Sequence, residues 1–272
     1  MLKADFKHNL YFESFGVGIC VSSNIPEPIE KVKDSFKNNL PDCVREIEQT
    51  EVEHNFLFVR EPYKKDVLFK NGEKIGAQVF DENLIDGLIS LVRLTVAEFA
   101  VERVFVHAGV VGWKGKAILI PARSFKGKTT LTTALIKHGA LYFSDEYAVL
   151  DQDGFVHPFA KPLSIRGEID ERTQVDYAIE TFGGKIGIEK IPVGMVLITE
   201  YKSNGKWKPQ ILSSANGILE LIKNTIPIRN NPNFSLEVLQ KATKHALFIK
   251  SIRGDVSKSV EPILNYFEAN CL

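Results

Sequence analysis

A short run in the middle of the chain, ARSFKGKTT, has the residue types of a phosphate-binding loop. In such loops backbone N–H groups and a helix N-terminus surround the phosphates, a lysine reaches the β and γ positions, and a Ser or Thr hydroxyl holds Mg²⁺. The residues predicted to bind nucleotide here are Ala122, Arg123, Ser124, Phe125, Lys126, Gly127, Lys128, Thr129 and Thr130.

The loop departs from the usual pattern at its start, because Ala122 stands where the pattern has its first glycine. Alanine weakens the loop only if that position needs a positive φ, whereas Gly127, next to the lysine, is where close backbone approach matters most. A buried helix with an incidental lysine is the alternative interpretation. The order of a strand over 116–120, a short loop and an amphipathic helix over 128–138 favours the phosphate loop.

An acidic pair, Asp145-Glu146, follows the next predicted strand, 17 residues beyond Lys128. A carboxylate at the carboxyl end of a strand beside a phosphate loop can hold Mg²⁺ or accept the proton of an attacking hydroxyl. Two solvated acids at the start of a hairpin would have the same sequence. The neighbouring loop favours the functional interpretation.

Two further residues have open interpretations. His107 alternates with apolar residues in the strand VFVHAGVV that leads toward the loop, so it is either a hydrogen-bonded core histidine or part of the site. Arg166, in KPLSIRG, is either a phosphate partner or a surface charge.

The elements that would position these residues begin near residue 103, where β-branched strands and hairpins replace the earlier pattern. Residues 1–82 alternate short strands with turns, including Asn71-Gly72, and include one helix, which predicts a small N-terminal α+β domain. A buried helix is predicted next, and 83–272 are assigned to the nucleotide-binding domain.

Composition excludes several classes of function. The chain has 34 basic and 34 acidic residues, so its zero formal net charge favours neither nucleic acid nor an anionic membrane. The 3 cysteines form no CxxC pair, which argues against a disulfide framework or a structural zinc site and suggests a cytoplasmic protein. Because charged residues interrupt its apolar segments, we expect no membrane span.

The motifs together resemble the HPr kinase family, whose P-loop fold is shared with phosphoenolpyruvate carboxykinase. The resemblance rests on VHAGVV, ARSFKGKTTL, LIKHG, YFSDE and SIRG, which occur in family order between residues 104 and 170. It implies an α/β fold, α+β for the whole chain, with a mixed sheet in the second domain. Ala122, Glu146 in place of an aspartate and Ser164 in place of a glutamate depart from the family pattern.

The resemblance also implies roles for individual residues. Lys128 and Thr129 match the phosphate and Mg²⁺ residues, Asp145 the aspartate that handles the hydroxyl proton, Glu146 its metal-binding neighbour, His107 the histidine beside that aspartate, and Arg166 the signature arginine. We therefore expect catalysis by Asp145, His107, Lys128 and Arg166, with Mg²⁺ held by Thr129, Glu146 and Asp145.

The expected function is transfer of the γ-phosphoryl group of ATP to a hydroxyl, with Mg²⁺ as the metal ion. The acceptor would be a serine of a protein or peptide, and a small-molecule hydroxyl is the other possibility. A nucleotide-binding regulator or scaffold without transfer activity is the alternative, which Ala122 and Ser164 keep open. The enzyme could form a homo-oligomer, and no nucleic acid or membrane partner is expected.

Overall fold

The structure is a computed structural model that describes residues 6–38, 44–61, 65–79, 83–122, 127–166 and 174–272. Contacts divide the chain into two units, Met1–Glu102 and Arg103–Leu272. The boundary therefore falls later than the predicted one after residue 82. The reason is the helix Asn83–Phe99, whose apolar face packs into the core of the first unit.

The first unit is an α+β structure built on a six-stranded sheet with the order β3-β1-β2-β4-β5-β6. Its strands are β1 (His8–Ser14), β2 (Val17–Ser23), β3 (Arg45–Glu46), β4 (His54–Glu61), β5 (Lys65–Lys70) and β6 (Glu73–Val79), and its helices are α1 (Glu27–Lys33) and α2 (Asn83–Phe99). A π-helical turn over Asp34–Asn38 extends α1, and a 3₁₀ turn covers Gln49–Glu51.

Aromatic and branched residues of the sheet and one face of each helix form the core of this unit, with Phe12, Phe56 and Phe58 almost fully buried. The predicted turn at Asn71-Gly72 is confirmed, since both residues have positive φ (49° and 85°) and join β5 to β6.

The unit also buries a carboxylate. Asp66 is 1% exposed, and both of its oxygens accept hydrogen bonds from Arg60, at 2.7 and 2.8 Å.

In the second unit, strand β7 connects the two parts of the main sheet, which has nine described strands. Its first half pairs with β10 and its second half with β8 and β9. The described strands are β7 (Arg103–Trp113), β8 (Lys116–Pro121), β9 (Leu141–Ser144), β10 (Tyr147–Asp151), β11 (Phe155–His157), β12 (Leu163–Arg166), β13 (Gln174–Tyr177), β14 (Lys185–Ile186), β15 (Ile191–Tyr201), β16 (Gln210–Ile211) and β17 (Leu247–Arg253).

Four helices accompany these strands in the described part of the second unit: α3 (Lys128–Lys137), α4 (Ser214–Ile222), α5 (Pro232–Thr243) and α6 (Val260–Cys271). Short 3₁₀ turns cover Ile179–Phe182, Ile226–Arg229 and Val256–Lys258. The strands β12 and β13 form a separate hairpin.

Alternation along the strands places helices on both faces of the sheet. In β8, Ala117 and Leu119 face a core shared with α4 and α5, whereas Ile118 and Ile120 face a core shared with α3 and α6. The unit is thus a mixed α/β structure, as the sequence predicts.

Three strands of this unit run in parallel, because β15 pairs in parallel with both β8 and β17. Their carboxyl ends therefore lie at one edge of the sheet. The segment that connects β8 to α3 begins at that edge. Among the described residues, no helix is long and apolar enough to cross a membrane.

Candidate functional site

The two described ends of the predicted loop differ in backbone conformation. Gly127 has a left-handed conformation, with φ of 74°, and a Cβ at this position would collide with Nη2 of Arg253. Glycine is therefore favoured at 127, because another residue would be strained at this φ and would displace the guanidinium of Arg253. Ala122 is buried and is not among the positive-φ residues, so its position does not require glycine. Arg123, Ser124, Phe125 and Lys126 lie outside the described residues.

Lys128 is the first residue of α3 and is only 9% exposed. A Cβ at Gly109 in β7 would lie 3.1 Å from Cγ of Lys128 and 2.5 Å from Oγ1 of Thr132. Because Gly109 has no side chain, α3 can approach β7 closely and the side chain of Lys128 can pack against the strand. Burial lowers the pKa of Lys128 to about 8, although the nearby carboxylates of Asp145 and Glu146 oppose this shift.

Thr129 contacts the acidic pair directly, since its Oγ1 donates a hydrogen bond to Oδ2 of Asp145 at 2.7 Å. Asp145 is 8% exposed, and its other oxygen, Oδ1, has no hydrogen-bond partner among the described residues. Burial raises the pKa of Asp145 above its ordinary value, against the lowering effects of Thr129, Lys128 and Lys161. Thr130, one residue further along α3, is exposed.

A tight turn between β9 and β10 holds the two acids. Oγ of Ser144 accepts hydrogen bonds from the backbone N–H groups of Glu146 and Tyr147, at 3.1 and 3.0 Å. Such side-chain-to-backbone bonds fix a turn locally. As a result Asp145 points toward the start of α3.

Lys161, which the sequence analysis does not predict as a site residue, joins this cluster. It precedes β12, is 8% exposed, and places its Nζ 3.7 Å from Oε2 of Glu146. The same Nζ donates to Oγ of Ser164 at 3.1 Å, and Ser164 donates in turn to Oδ1 of Asp176 at 2.6 Å. A lysine followed by proline in an irregular segment has no motif that would reveal this contact from sequence.

His107 lies opposite Tyr147 in the pairing of β7 with β10, and the two ring centroids are 6.0 Å apart. Burial, assisted by the positive charge of Lys128, lowers the pKa of His107 to about 4, so the imidazole is neutral at pH 7. No hydrogen bond joins its ring to Asp145, and both residues belong to the described part of the chain. The structure therefore puts His107 near Lys128 and Glu146 rather than in a hydrogen-bonded pair with Asp145.

A second missed residue, Arg253, lies at the carboxyl end of β17 and contacts Gly127. Its Nη2 donates to the carbonyl oxygen of Gly127 at 2.7 Å, and its guanidinium lies 5.5 Å from the ring centroid of Tyr201. Burial lowers the pKa of Arg253. A charged residue that ends an apolar strand is the only sequence signal for this contact, and it is a weak one. For the predicted residue Arg166, which ends β12, the side chain lies outside the described ones.

The oxygen atoms at this site are of the kind that Mg²⁺ prefers. Thr129, Asp145 and Glu146 offer hard oxygen donors, and the buried Oδ1 of Asp145 has no partner among the described residues. The described residues contain no group of three or more His, Cys, Asp or Glu side chains that could enclose a metal ion. Mg²⁺ commonly binds one or two carboxylates together with substrate phosphates, so two acids suffice.

Comparisons with known proteins provide little further information. No family model matches the chain, and no curated protein matches its sequence. Among solved structures, the chain is similar to the Hpr(Ser) kinase/phosphatase from Coxiella burnetii, with a TM-score of 0.30 and 12% sequence identity over 61% of this chain and 94% of that chain. A similarity this distant carries no argument about function, so the contacts within the chain must do so.

Proposed function

We propose that this chain is an ATP- and Mg²⁺-dependent phosphotransferase of the HPr kinase-like type, which transfers the γ-phosphoryl group to a hydroxyl. The acceptor we propose is a serine of a protein or peptide, with a small-molecule hydroxyl as the alternative. The finer fold expectation, a P-loop fold like that of phosphoenolpyruvate carboxykinase, belongs to the same proposal.

One observation supports the proposal above all others. The hydroxyl of Thr129, in the first turn of α3, donates to the buried carboxylate of Asp145, which follows a different strand. Lys128 lies in the same cluster, since it lowers the pKa of Asp145. A helix N-terminus, a lysine, a hydroxyl and a carboxylate are the groups that phosphoryl transfer uses.

Each of these groups would have a separate task. The ammonium of Lys128 would bind oxygens of the β- and γ-phosphates, where charge develops during transfer. Asp145 would take the acceptor's proton through Oδ1, because its raised pKa makes it a better base than an exposed aspartate. The neutral ring of His107 would form a wall of the site and would not transfer a proton in the reaction.

Mg²⁺ would be held by Thr129 and Glu146, with Asp145 as an additional ligand or neighbour. When bound there, it would neutralise charge on the phosphate oxygens. Arg253 would support the loop from behind through Gly127, without contact with the reacting atoms.

The proposal is tested by nucleotide binding and by transfer. Replacing Lys128 with Ala should weaken Mg·ATP binding by about 10-fold or more, since charge-assisted hydrogen bonds contribute about 1.5–3 kcal/mol. Lys137→Ala, in the last turn of the same helix, is the matched control and should leave the affinity unchanged. Calorimetric titration of both variants provides the measurement, and unchanged affinity in Lys128→Ala would contradict the phosphate-loop interpretation.

Incubation with γ-labelled ATP and Mg²⁺ tests transfer itself. Label on a serine-containing protein or peptide, or release of labelled phosphate to water, supports the enzyme. Binding of ATP without any loss of label from the nucleotide would instead support the regulator or scaffold.

A further inference from the structure

In the second unit, hydrogen bonds fix both the backbone and the ammonium group of Lys161. Its backbone carbonyl accepts a hydrogen bond from the hydroxyl of Tyr142 at 2.9 Å, and its Nζ donates to Oγ of Ser164 at 3.1 Å. Because Ser164 donates its own proton to Asp176, the lone pairs of its oxygen remain directed at the ammonium. The side chain is therefore buried in a fixed position next to the acidic pair.

Lys161 also interacts electrostatically with the second lysine of the site. Its positive charge lowers the pKa of Asp145 and that of Lys128, so the two lysines and the two acids belong to one electrostatic cluster. The carboxylates of Asp145 and Glu146 offset the repulsion between the two cations, since both raise the pKa of Lys128.

A purely structural ion pair is the alternative, and the distances argue against it. The Nζ–Oε2 distance between Lys161 and Glu146 is 3.7 Å, beyond the usual range of a hydrogen bond. By contrast, Lys190 reaches buried Asp151 at 2.9 Å. Among the described residues Lys161 donates to Ser164 alone, although an ammonium has three donors. Donors therefore remain for a ligand.

We propose that Lys161 is a second phosphoryl-binding cation, which contacts the non-bridging oxygens of the γ-phosphoryl group during transfer. This inference rests on the proposed function. In the step, the bond from the γ-phosphorus to the bridging oxygen breaks and ADP leaves with the electron pair. A new P–O bond forms to the acceptor oxygen, and the acceptor's proton goes to Asp145. Lys161 gains and loses no proton, and Ser164 acts as its positioning residue.

The test compares ground-state and transition-state ligands, and it needs no acceptor. Mg·ADP alone and Mg·ADP with aluminium fluoride, which mimics the transferring phosphoryl group, are titrated into wild type and Lys161→Met. We expect Mg·ADP affinity to stay within about 3-fold, and affinity for the aluminium fluoride complex to fall by about 10–100-fold, because the lost contact forms only in the transition state. Lys161→Arg, which keeps the charge, should recover part of that loss.

Lys190→Met is the matched control, since it also removes a lysine that pairs with a buried acid, and it should change neither affinity. Ser164→Ala is the second variant if Lys161→Met fails to fold. It should weaken the aluminium fluoride complex alone, by about 3–10-fold, because the ammonium loses its fixed position.

The outcomes separate the two proposals. If wild type binds neither ligand, the proposed function fails and this inference fails with it. If wild type binds both while Lys161→Met binds both equally well, or loses affinity for both to the same degree, the phosphotransferase stands and the role of Lys161 is overturned.

Discussion

Two of the buried aspartates, Asp66 of the first unit and Asp145 of the second, have different hydrogen-bonding partners. Asp66 in the first unit has both oxygens bound by the guanidinium of Arg60. Asp145 in the second unit has one oxygen bound by Thr129 and the other without a hydrogen-bond partner among the described residues. A buried carboxylate oxygen without a hydrogen bond lowers the stability of the folded state. When both oxygens are hydrogen-bonded, those bonds offset the cost of burial. The contrast separates an acid whose two oxygens are both bonded within the fold from one with an oxygen that lacks such a bond among the described residues.

The same contrast extends to the two units. Among the described residues, Asp66 is the only buried charged side chain of the first unit. The second unit buries Lys128, Asp145, Asp151, Lys161 and Arg253. Buried charges of this kind concentrate at functional sites, because pKa values must be shifted there.

The largest expected effect comes from Asp145→Asn. The amide keeps the hydrogen bond from Thr129 but has no basicity, so phosphoryl transfer should fall by about 10²–10⁴-fold while ATP still binds. Single-turnover transfer of label from γ-labelled ATP provides the measurement. If the variant is instead restored by a higher Mg²⁺ concentration, Asp145 is a metal ligand and Glu146 takes the role of base.

The pH dependence of stability should also differ between wild type and Asp145→Asn. The raised pKa of Asp145 means that the folded state binds its proton more tightly than the unfolded state does. Wild type should therefore lose stability as the pH rises from the ordinary aspartate value of about 3.9 through the raised value, and Asp145→Asn should not show this loss. The free energy of unfolding of both proteins, measured with urea over a range of about pH 4 to pH 8, provides the comparison.

Asp66→Asn should have the opposite pattern. The free energy of unfolding should fall by about 2–3 kcal/mol, less than for a fully buried pair because the side chain of Arg60 is 36% exposed. Nucleotide affinity should not change. Urea denaturation measures the free energy of unfolding, and calorimetric titration measures the ATP affinity. A folded Asp66→Asn variant that no longer binds ATP would contradict the separate roles of the two acids.

The smallest expected effects are at the two ends of the loop. Gly127→Ala should cost about 1–2 kcal/mol of stability, since alanine is strained at positive φ and its Cβ meets Arg253. Ala122→Gly should change ATP affinity by less than about 3-fold, because position 122 needs no positive φ. A large gain in affinity for Ala122→Gly would show that the natural loop is impaired and would favour the regulator.

Much of the fold can be predicted from the sequence because its signals are local. The strand–loop–helix unit around Lys128 and the turn at Asn71-Gly72 each depend on neighbouring residues. The compact units divide after Glu102 and not after residue 82, because the apolar faces of α2 do not reveal from the sequence which core they enter. The hairpin β12–β13 and helix α4 were also missed, although α4 has a strong helical periodicity and a serine N-cap.

The site could be predicted only as far as its motifs extend. Sequence spacing predicts Lys128, Thr129 and Asp145 as members of one site, and the hydrogen bond from Thr129 to Asp145 is consistent with this prediction. Lys161 and Arg253 could not be found in this way, because their contacts depend on tertiary pairing between distant segments. From the sequence, Ser164 is only a departure from a family pattern. The structure shows that its hydroxyl oxygen accepts a hydrogen bond from Lys161.

The bond between Arg253 and Gly127 has a consequence for folding kinetics. It joins residues separated by 126 positions, and β15 lies between β17, which ends at Arg253, and β8, the strand that precedes Gly127 in the chain. Contacts between such distant residues close a long loop, so they form late in folding. During synthesis Gly127 therefore cannot obtain this hydrogen bond until β17 has left the ribosome, so the proposed nucleotide site of a nascent chain should be completed late.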